Sequence, residues 1–270
     1  MRQASVGTGS RPRPAASRRA PPFGGCAAVA IGGSMPRRPA TAFQRDRETA
    51  MTDTDHSTTA IRLPIGSAGG VVFDVVAWGP AQADVDLSVA CMFEHELGGA
   101  GMRGGLLALD RALGGQLGRL REAGAFRAQP METLLVTTPP PGLPPRAILV
   151  VGLGDPAALH GDVLRQATRV AMREAIRRGA GAMAFAPSVL DAGHTDNAPL
   201  DMQQVMLDGM LGALRAEHML AAAGLAAAPL LRHCSFDVGA PRVQAAGDAF
   251  RAAFARLAEA IPGGVAAIAP

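Results

Sequence analysis

A glycine-rich loop between a predicted strand and a predicted helix is the strongest candidate for chemistry in this sequence. The segment reads LGGAGMRGG, with glycines at Gly98, Gly99, Gly101, Gly104 and Gly105. Glycine lets backbone N–H groups approach an anion, and the helix that follows adds the positive end of its dipole. Arg103 would add a full charge. The same pattern also fits a tight strand-to-helix connection that needs positive φ angles and binds nothing.

Two further loops complete the predicted ligand site. The segment GLGDPA contains Gly152, Gly154 and Asp155 and is similar to the dinucleotide-binding fingerprint GxGxxA. However, no helix is predicted to start at the third position of this fingerprint, and no acidic residue ends a following strand. No cofactor is therefore predicted. The loop still follows a buried strand, where α/β sheets place ligands. A polar loop after the next strand supplies the last candidates, Ser188, His194 and Asp196.

Residue types for catalysis or metal binding occur without a recognised spacing. Glu94-His95-Glu96 and His194-Thr195-Asp196 are close pairings of metal-ligating types, and neither matches a known zinc pattern. There is no GxSxG and no tyrosine, and Cys91 falls in an apolar strand, where an inert thiol is expected. We therefore nominate no catalytic residue and no metal ligand.

The elements that would position these loops alternate along the chain. Period-two and wholly apolar runs predict strands at Val71–Trp78, Val85–Phe93, Glu132–Thr138, Ala147–Leu153, Ala182–Pro187 and Leu230–Val238. Helical spacing predicts helices over Gly105–Glu122, after an Asp162 cap, from Met202, and from Val243 to Leu257. This alternation favours an α/β fold with a mostly parallel sheet.

Two runs carry a family resemblance, LLALDRALGGQLGRLREAGAFRAQPMETLLV (Leu106–Val136) and AILVVGLGDPAAL (Ala147–Leu159). From about Val71 to Leu214 the sequence resembles the N-terminal domain of the leucyl aminopeptidases. That domain is related to the macro domains, which bind ADP-ribose and similar nucleotides. The resemblance implies a macro-domain-like fold over residues 61–261, with a mixed, mostly parallel sheet flanked by helices in three layers.

The resemblance also implies what this sequence lacks. The family's catalytic domain holds a dinuclear metal site in segments like GKGITFDTGG and NTDAEGRL. Neither is present, and the chain contains no lysine. We expect a non-catalytic module associated with aminopeptidase function. It would bind a nucleotide or other anionic metabolite, or assemble with itself or a full-length aminopeptidase, since the family's enzymes are hexameric. The alternative is a macro-type protein that binds or processes ADP-ribose.

Charge divides the chain into two parts. Residues 1–50 hold nine arginines against Asp46 and Glu48, whereas residues 51–270 hold 17 arginines against 21 acids. The basic pI belongs to the first part, so overall charge does not indicate nucleic-acid binding. Residues 1–60 are predicted to be a disordered Arg/Ala/Pro-rich tail, or an over-extended start before Met51. No run approaches a membrane span, and a cytoplasmic protein with no membrane partner is expected.

Two helices carry features that the sequence leaves ambiguous. Arg165, Arg169, Arg173 and Arg177 recur every four residues, which is typical of a solvated face but would also suit an acidic partner. Gly114, Gly115 and Gly118 lie inside the first predicted helix. Because glycine weakens a helix, we expect another backbone to approach closely there.

Overall fold

The computed structural model describes residues 61–97, 101–187, 201–259 and 265–267, with side chains through residue 257. All of them belong to the unit His56–Pro270. The predicted tail over residues 1–60 lies outside the described residues.

Eight strands form a single mixed sheet in the order β4-β5-β3-β6-β7-β2-β1-β8. The five strands β5, β3, β6, β7 and β2 are mutually parallel, whereas β4, β1 and β8 pair antiparallel at the two edges. The bounds are β1 Arg62–Ala68, β2 Val71–Val76, β3 Leu87–Phe93, β4 Thr133–Val136, β5 Ile148–Gly154, β6 Ala182–Ala186, β7 His233–Asp237 and β8 Val265–Ala267. The predicted mostly parallel sheet is confirmed.

Five helices cover the two faces of this sheet. On one face, α3 (Gly161–Arg177), α4 (Met202–Ala222) and α5 (Val243–Glu259) pack on alternate residues of the parallel strands. On the other face, α1 (Gly104–Ala112) and α2 (Gln116–Glu122) pack on β3 and β5. Strands β3 and β5, which lie between the two helical layers, are buried along their whole length. Burial on both faces is typical of parallel strands covered by helices. The predicted three-layer arrangement is confirmed.

The first predicted helix is wrong in its continuity, because it is broken into α1 and α2. Gly114 and Gly115 have φ values of +66° and +75°, and a Cβ on either would meet nothing within 4 Å. These glycines therefore allow a left-handed turn and not the close approach that we expected. Gly118 lies within α2, where its N–H donates to the buried Asp110 carboxylate at 3.0 Å.

Two expectations for α3 also need correction. The helix begins at Gly161 after His160, so Asp162 lies in its first turn and is not the cap residue. The arginine stripe is not simply a solvated face, because two of its members lie against α4. Arg165 pairs with Asp162 and with Asp208, the latter at 2.7 Å. Arg173 lies 3.3 Å from Glu217.

An ion pair joins β1 to β2. Arg62 donates to Asp74 at 2.7 Å, and the Asp74 side chain is 3% exposed whereas that of Arg62 is 45% exposed. Asp74 Oδ1 has no hydrogen-bond partner among the described residues. Burial raises the pKa of this carboxyl above its ordinary value of 3.8, although the charge of Arg62 opposes the rise.

This pKa predicts how stability changes with pH. A raised folded-state pKa means that the folded protein holds the proton more tightly, so stability falls as pH rises through the window above 3.8. Asp74→Asn removes that titration while keeping the shape of the side chain. The variant should therefore gain stability relative to the parent as pH rises from about 4 to about 7. Urea unfolding across this range is the measurement, and a constant difference at every pH would contradict the assignment.

Candidate functional site

A cleft of about 620 Å³ opens at the carboxyl ends of β2, β6 and β7. Its wall is mainly apolar and comes from the loops after these strands and from α3, α4 and α5. The apolar lining includes Pro80, Leu164, Ala186, Pro187, Met202, Met206, Val238, Pro241, Ala245, Ala246 and Phe250, and the polar side chains are Gln203, Asp237 and Arg242. Parallel strands turn their carboxyl ends to one edge, and this is where α/β sheets place ligands.

Three helices begin at this cleft. Met202 and Gln203 are the first residues of α4, and Gly105 is the second residue of α1. The start of α5 follows a short 3₁₀ helix, Ala240–Arg242, which also contributes to the lining. Helix N-termini carry partial positive charge, which favours an anionic group. Two carboxylates already lie at this end of the sheet, since Asp201 caps α4 and Asp237 lines the cleft.

Asp237 fixes the floor of the cleft. It is the last residue of β7, is 6% exposed, and accepts a hydrogen bond from the Trp78 N–H at 3.1 Å. That bond joins the exit of β2 to the exit of β7, two segments 159 residues apart in sequence. The Gly79-Pro80 turn that lines the cleft is thereby held over β7.

The glycine-rich loop reaches this cleft at its helical end. Gly105 lines the cleft, and a Cβ placed on it would lie 2.9 Å from Pro80 Cδ. Gly104 begins α1 with φ +51°, and Arg103 precedes it in extended backbone. A Cβ on Gly101 would overlap the backbone of Leu97. Gly98 and Gly99 lie outside the described residues.

The second predicted loop is packed against the chain itself. The Gly152 N–H donates to the Glu132 carbonyl at 2.8 Å, and the Gly154 N–H donates to the Ala128 carbonyl at 2.9 Å. The Asp155 carboxylate accepts from the Ala157 N–H at 2.9 Å, which caps the short 3₁₀ helix after β5. These donors and this acceptor are thus engaged within the protein, and none of the three residues lines the cleft.

The third predicted loop, with Ser188, His194 and Asp196, lies outside the described residues. The strand before it, β6, ends beside the cleft at Ala186. The loops after β3, β5 and β6 leave neighbouring strands.

The carboxylates after β3 serve the fold. Glu96 is 1% exposed and accepts from the Phe93 N–H at 2.7 Å, and Glu94 accepts from the Gln129 side chain at 3.1 Å. Within residues 61–97, 101–187 and 201–257, no three His, Cys, Asp or Glu side chains come together as a metal site. Burial raises the pKa of the Cys91 thiol, so it stays protonated.

A buried arginine holds the start of the glycine-rich segment. Arg121, 6% exposed, donates to the Phe126 carbonyl at 3.0 Å and to the Glu94 carbonyl at 2.5 Å. Burial lowers the pKa of Arg121, and the nearby glutamates oppose that effect. The side chain thereby ties the residues after β3 to the loop after α2.

Sequence reasoning missed most of the cleft. Asp237, Gln203 and Arg242 lie far apart in the chain, and no motif joins them. One local signal was available, because Asp201 caps α4 by accepting from the Gln204 N–H at 3.0 Å. An Asp-x-x-Gln sequence of this kind indicates the N-terminus of a helix.

Residues 94–199 match the model for the cytosol aminopeptidase family, N-terminal domain. This part of the chain is therefore similar to an aminopeptidase N-terminal domain. The match runs from the end of β3 to the residues before α4, and it confirms the resemblance carried by Leu106–Val136 and Ala147–Leu159. A search of curated protein sequences finds no match.

Solved structures share the fold of this domain. A tomato leucine aminopeptidase mutant aligns with 69% of this chain at 16% identity and a TM-score of 0.50, but the alignment covers only 36% of that enzyme. The Oceanobacillus iheyensis macrodomain with MES bound aligns with 75% of this chain and 100% of its own, at 15% identity and a TM-score of 0.52. The same macrodomain with ADP aligns with 75% of this chain and 99% of its own, at 14% identity and a TM-score of 0.50.

The described helices include none long and apolar enough to cross a membrane.

Proposed function

We propose that this aminopeptidase N-terminal-like domain is a non-catalytic binding module of the cytoplasm, and that a nucleotide or another anionic metabolite occupies the cleft. The observation that carries the proposal is the convergence of three helix N-termini on a cleft of about 620 Å³. Small-molecule sites commonly enclose about 300–1,000 Å³ and are mainly apolar with a few placed polar groups. The cleft has both properties.

The apolar and the positively charged parts of the cleft lining would bind two different parts of one ligand. Leu164, Met206 and Phe250 offer apolar surface to a ring or another flat apolar group. The helix starts and Arg242 lie at the same opening and favour a negative charge. A phosphorylated compound with a ring meets both demands. A macrodomain with the same fold was solved with ADP, so ADP and ADP-ribose are the first compounds to test.

The ligand screen separates a binding module from an inert one. Thermal unfolding is measured with ADP-ribose, ADP, AMP and uncharged adenosine, the last as the control for charge. A ligand present at about 100 times its Kd should stabilise the protein by about 2.7 kcal/mol. Stabilisation by the phosphorylated compounds and not by adenosine supports the proposal. No stabilisation by any of them contradicts it.

A substitution pair on α5 tests where the ligand binds. Ala245 is exposed and lines the cleft, whereas Ala249 is exposed one turn further along and does not line it. Ala245→Phe should fill the opening and abolish ligand-induced stabilisation, whereas Ala249→Phe should leave it intact. Neither change touches the buried core, so unfolding without ligand should shift by no more than about 0.5 kcal/mol. Equal ligand responses in both variants would move the binding site elsewhere.

The non-catalytic role rests on the residues present. Peptide hydrolysis by a metal pair needs ligands that hold two ions and activate water, and the segments expected for such a site are missing from the sequence. The purified protein should not hydrolyse leucine amides with added Mn²⁺ or Zn²⁺. Release of ADP-ribose from a modified substrate would instead support the alternative, a macro-type processing activity.

A further inference from the structure

An apolar surface lies at the end of the domain opposite the cleft. Its members are large apolar side chains that stay exposed, namely Met219 (67%), Leu220 (38%), Leu225 (76%) and Leu230 (59%). They belong to one run, MLAAAGLAAAPL, which has no charged residue over twelve positions. We refer to these four side chains as the Leu225 surface. Several large exposed apolar side chains on one segment indicate a site of interaction.

The backbone presents these side chains outward. Helix α4 ends at Ala222, and Gly224 then turns with φ +71° while the Leu225 N–H donates to the Leu220 carbonyl at 2.9 Å. This helix-ending turn places Leu225 beyond the last turn of α4. The surface therefore projects from a hydrogen-bonded turn.

The returning chain joins this turn to the neighbouring helix. The Arg232 N–H donates to the Gly181 carbonyl at 2.8 Å, and a Cβ on Gly179 would lie 3.7 Å from Leu230 Cδ1. Gly179 follows the end of α3, and β7 begins at His233. The Leu225 surface thus lies at the amino ends of β6 and β7, whereas the cleft lies at their carboxyl ends.

The charged side chains beside this surface are mainly arginines. Arg215 is exposed one turn before Met219 on α4. Arg232 donates to the Pro229 and Leu231 carbonyls at 3.3 and 2.9 Å, which holds its guanidinium beside Leu230. Arg178 precedes Gly179 and lies 3.9 Å from Glu174. The border of the surface is therefore mainly cationic.

Acidic groups near the border are already engaged. Glu217 is the single acid between Leu211 and Leu231 in the sequence. It is 7% exposed and lies 3.3 Å from Arg173. Its charge is compensated within the fold and does not offset Arg215 or Arg232.

We infer that the Leu225 surface docks a partner protein whose contact area has an apolar centre and an acidic border. An apolar centre covers the exposed leucines and methionine, and carboxylates around it complement Arg215 and Arg232. A second copy joined through the same surface would face arginine against arginine, which is unfavourable. The first fifty residues of this chain are also excluded by charge, because they carry nine arginines and two acids.

Two matched peptides test this inference with defined probes. Both are amphipathic helices of roughly 14 residues with the same leucine stripe, and the other face carries glutamate in one and lysine in the other. Fluorescence anisotropy measures their binding to the full chain. The glutamate peptide should bind at least about tenfold more tightly than the lysine peptide. Its affinity should fall when the salt is raised from about 20 mM to about 300 mM, because salt screens exposed charges.

Variants assign the binding to this surface. Leu225→Ser together with Leu230→Ser should weaken the glutamate peptide about tenfold or more. Leu97→Ser is the matched control, because Leu97 is 51% exposed at the other end of the domain. All three side chains are exposed, so the thermal unfolding midpoint of each variant should equal that of the parent. An unchanged midpoint confirms that the variant is folded. A ligand response at the cleft is a separate readout that the double serine change should not affect.

Three results would overturn the inference. The first is equal or absent binding of both peptides. The second is binding of the parent protein to phosphatidylserine vesicles without binding of the glutamate peptide, which would assign the surface to an anionic lipid. The third is a dimer in light scattering that dissociates in the double serine variant, which would assign it to a second copy of this chain.

Discussion

Gly209→Ala should lower the free energy of unfolding by about 3 kcal/mol, the upper end of the cost of overpacking. Gly209 lies in α4 where it crosses α3, and a Cβ on it would overlap Thr168 Oγ1 and the Arg165 carbonyl oxygen. Thr168 is fully buried and its hydroxyl donates to that same carbonyl at 2.9 Å. Backbone and a bonded buried hydroxyl have no room to move, so the two helices would have to separate.

Gly212→Ala is the matched control for this change. Gly212 lies one turn further along the same helix, and a Cβ there would meet nothing within 4 Å. Alanine is favoured over glycine in a helix interior, so this variant should gain about 1 kcal/mol. Urea unfolding of both variants gives the comparison. Equal stability of the two would show that α3 and α4 do not cross as closely as the structure describes.

Gly152→Ala should lower the free energy of unfolding by about 2–3 kcal/mol, because its Cβ would enter the backbone of the segment before β4. That Cβ would overlap the Gln129 carbonyl oxygen and lie 2.5 Å from the Ala128 carbonyl carbon. The same substitution at Gly181, where the nearest atom would be the Asp86 carboxylate at 3.3 Å, should cost less than about 1 kcal/mol.

This comparison also separates two roles for the GLGDPA loop. If Gly152 serves packing, the loss of stability should appear in the free protein and be independent of any nucleotide. A stable Gly152→Ala protein that fails to respond to ADP-ribose would instead return this loop to the ligand site. Unfolding curves with and without ligand distinguish these outcomes.

Local sequence patterns predicted most of the elements. The uninterrupted apolar run of β5 and the helical spacing in α4 and α5 are strong short-range signals, and each is found where expected. Strand β1 was missed because RLPIGSA contains proline and glycine, and a bulge interrupts its register between Pro64 and Gly66. Strand β8 was missed because VAA is too short to show alternation.

The structural roles of the glycines were predicted less accurately than the helices and strands. The sequence placed a close backbone approach at Gly114, Gly115 and Gly118, whereas the structure has it at Gly209. A glycine in a helical pattern gives one signal for two causes, a break in the helix or contact with a neighbouring helix. Which cause applies depends on the element that packs against the glycine, and only the tertiary structure shows that element.

The sequence by itself determined the kinds of element and the similarity of residues 94–199 to an aminopeptidase N-terminal domain. These follow from side-chain type and short-range period, which each segment carries within itself. The tertiary structure alone decided that β2 lies beside β7 and not beside β3. That pairing brings Gly79 and Pro80 to Asp237 and forms the cleft. Long-range pairing depends on which faces bury one another, and no segment encodes its partner alone.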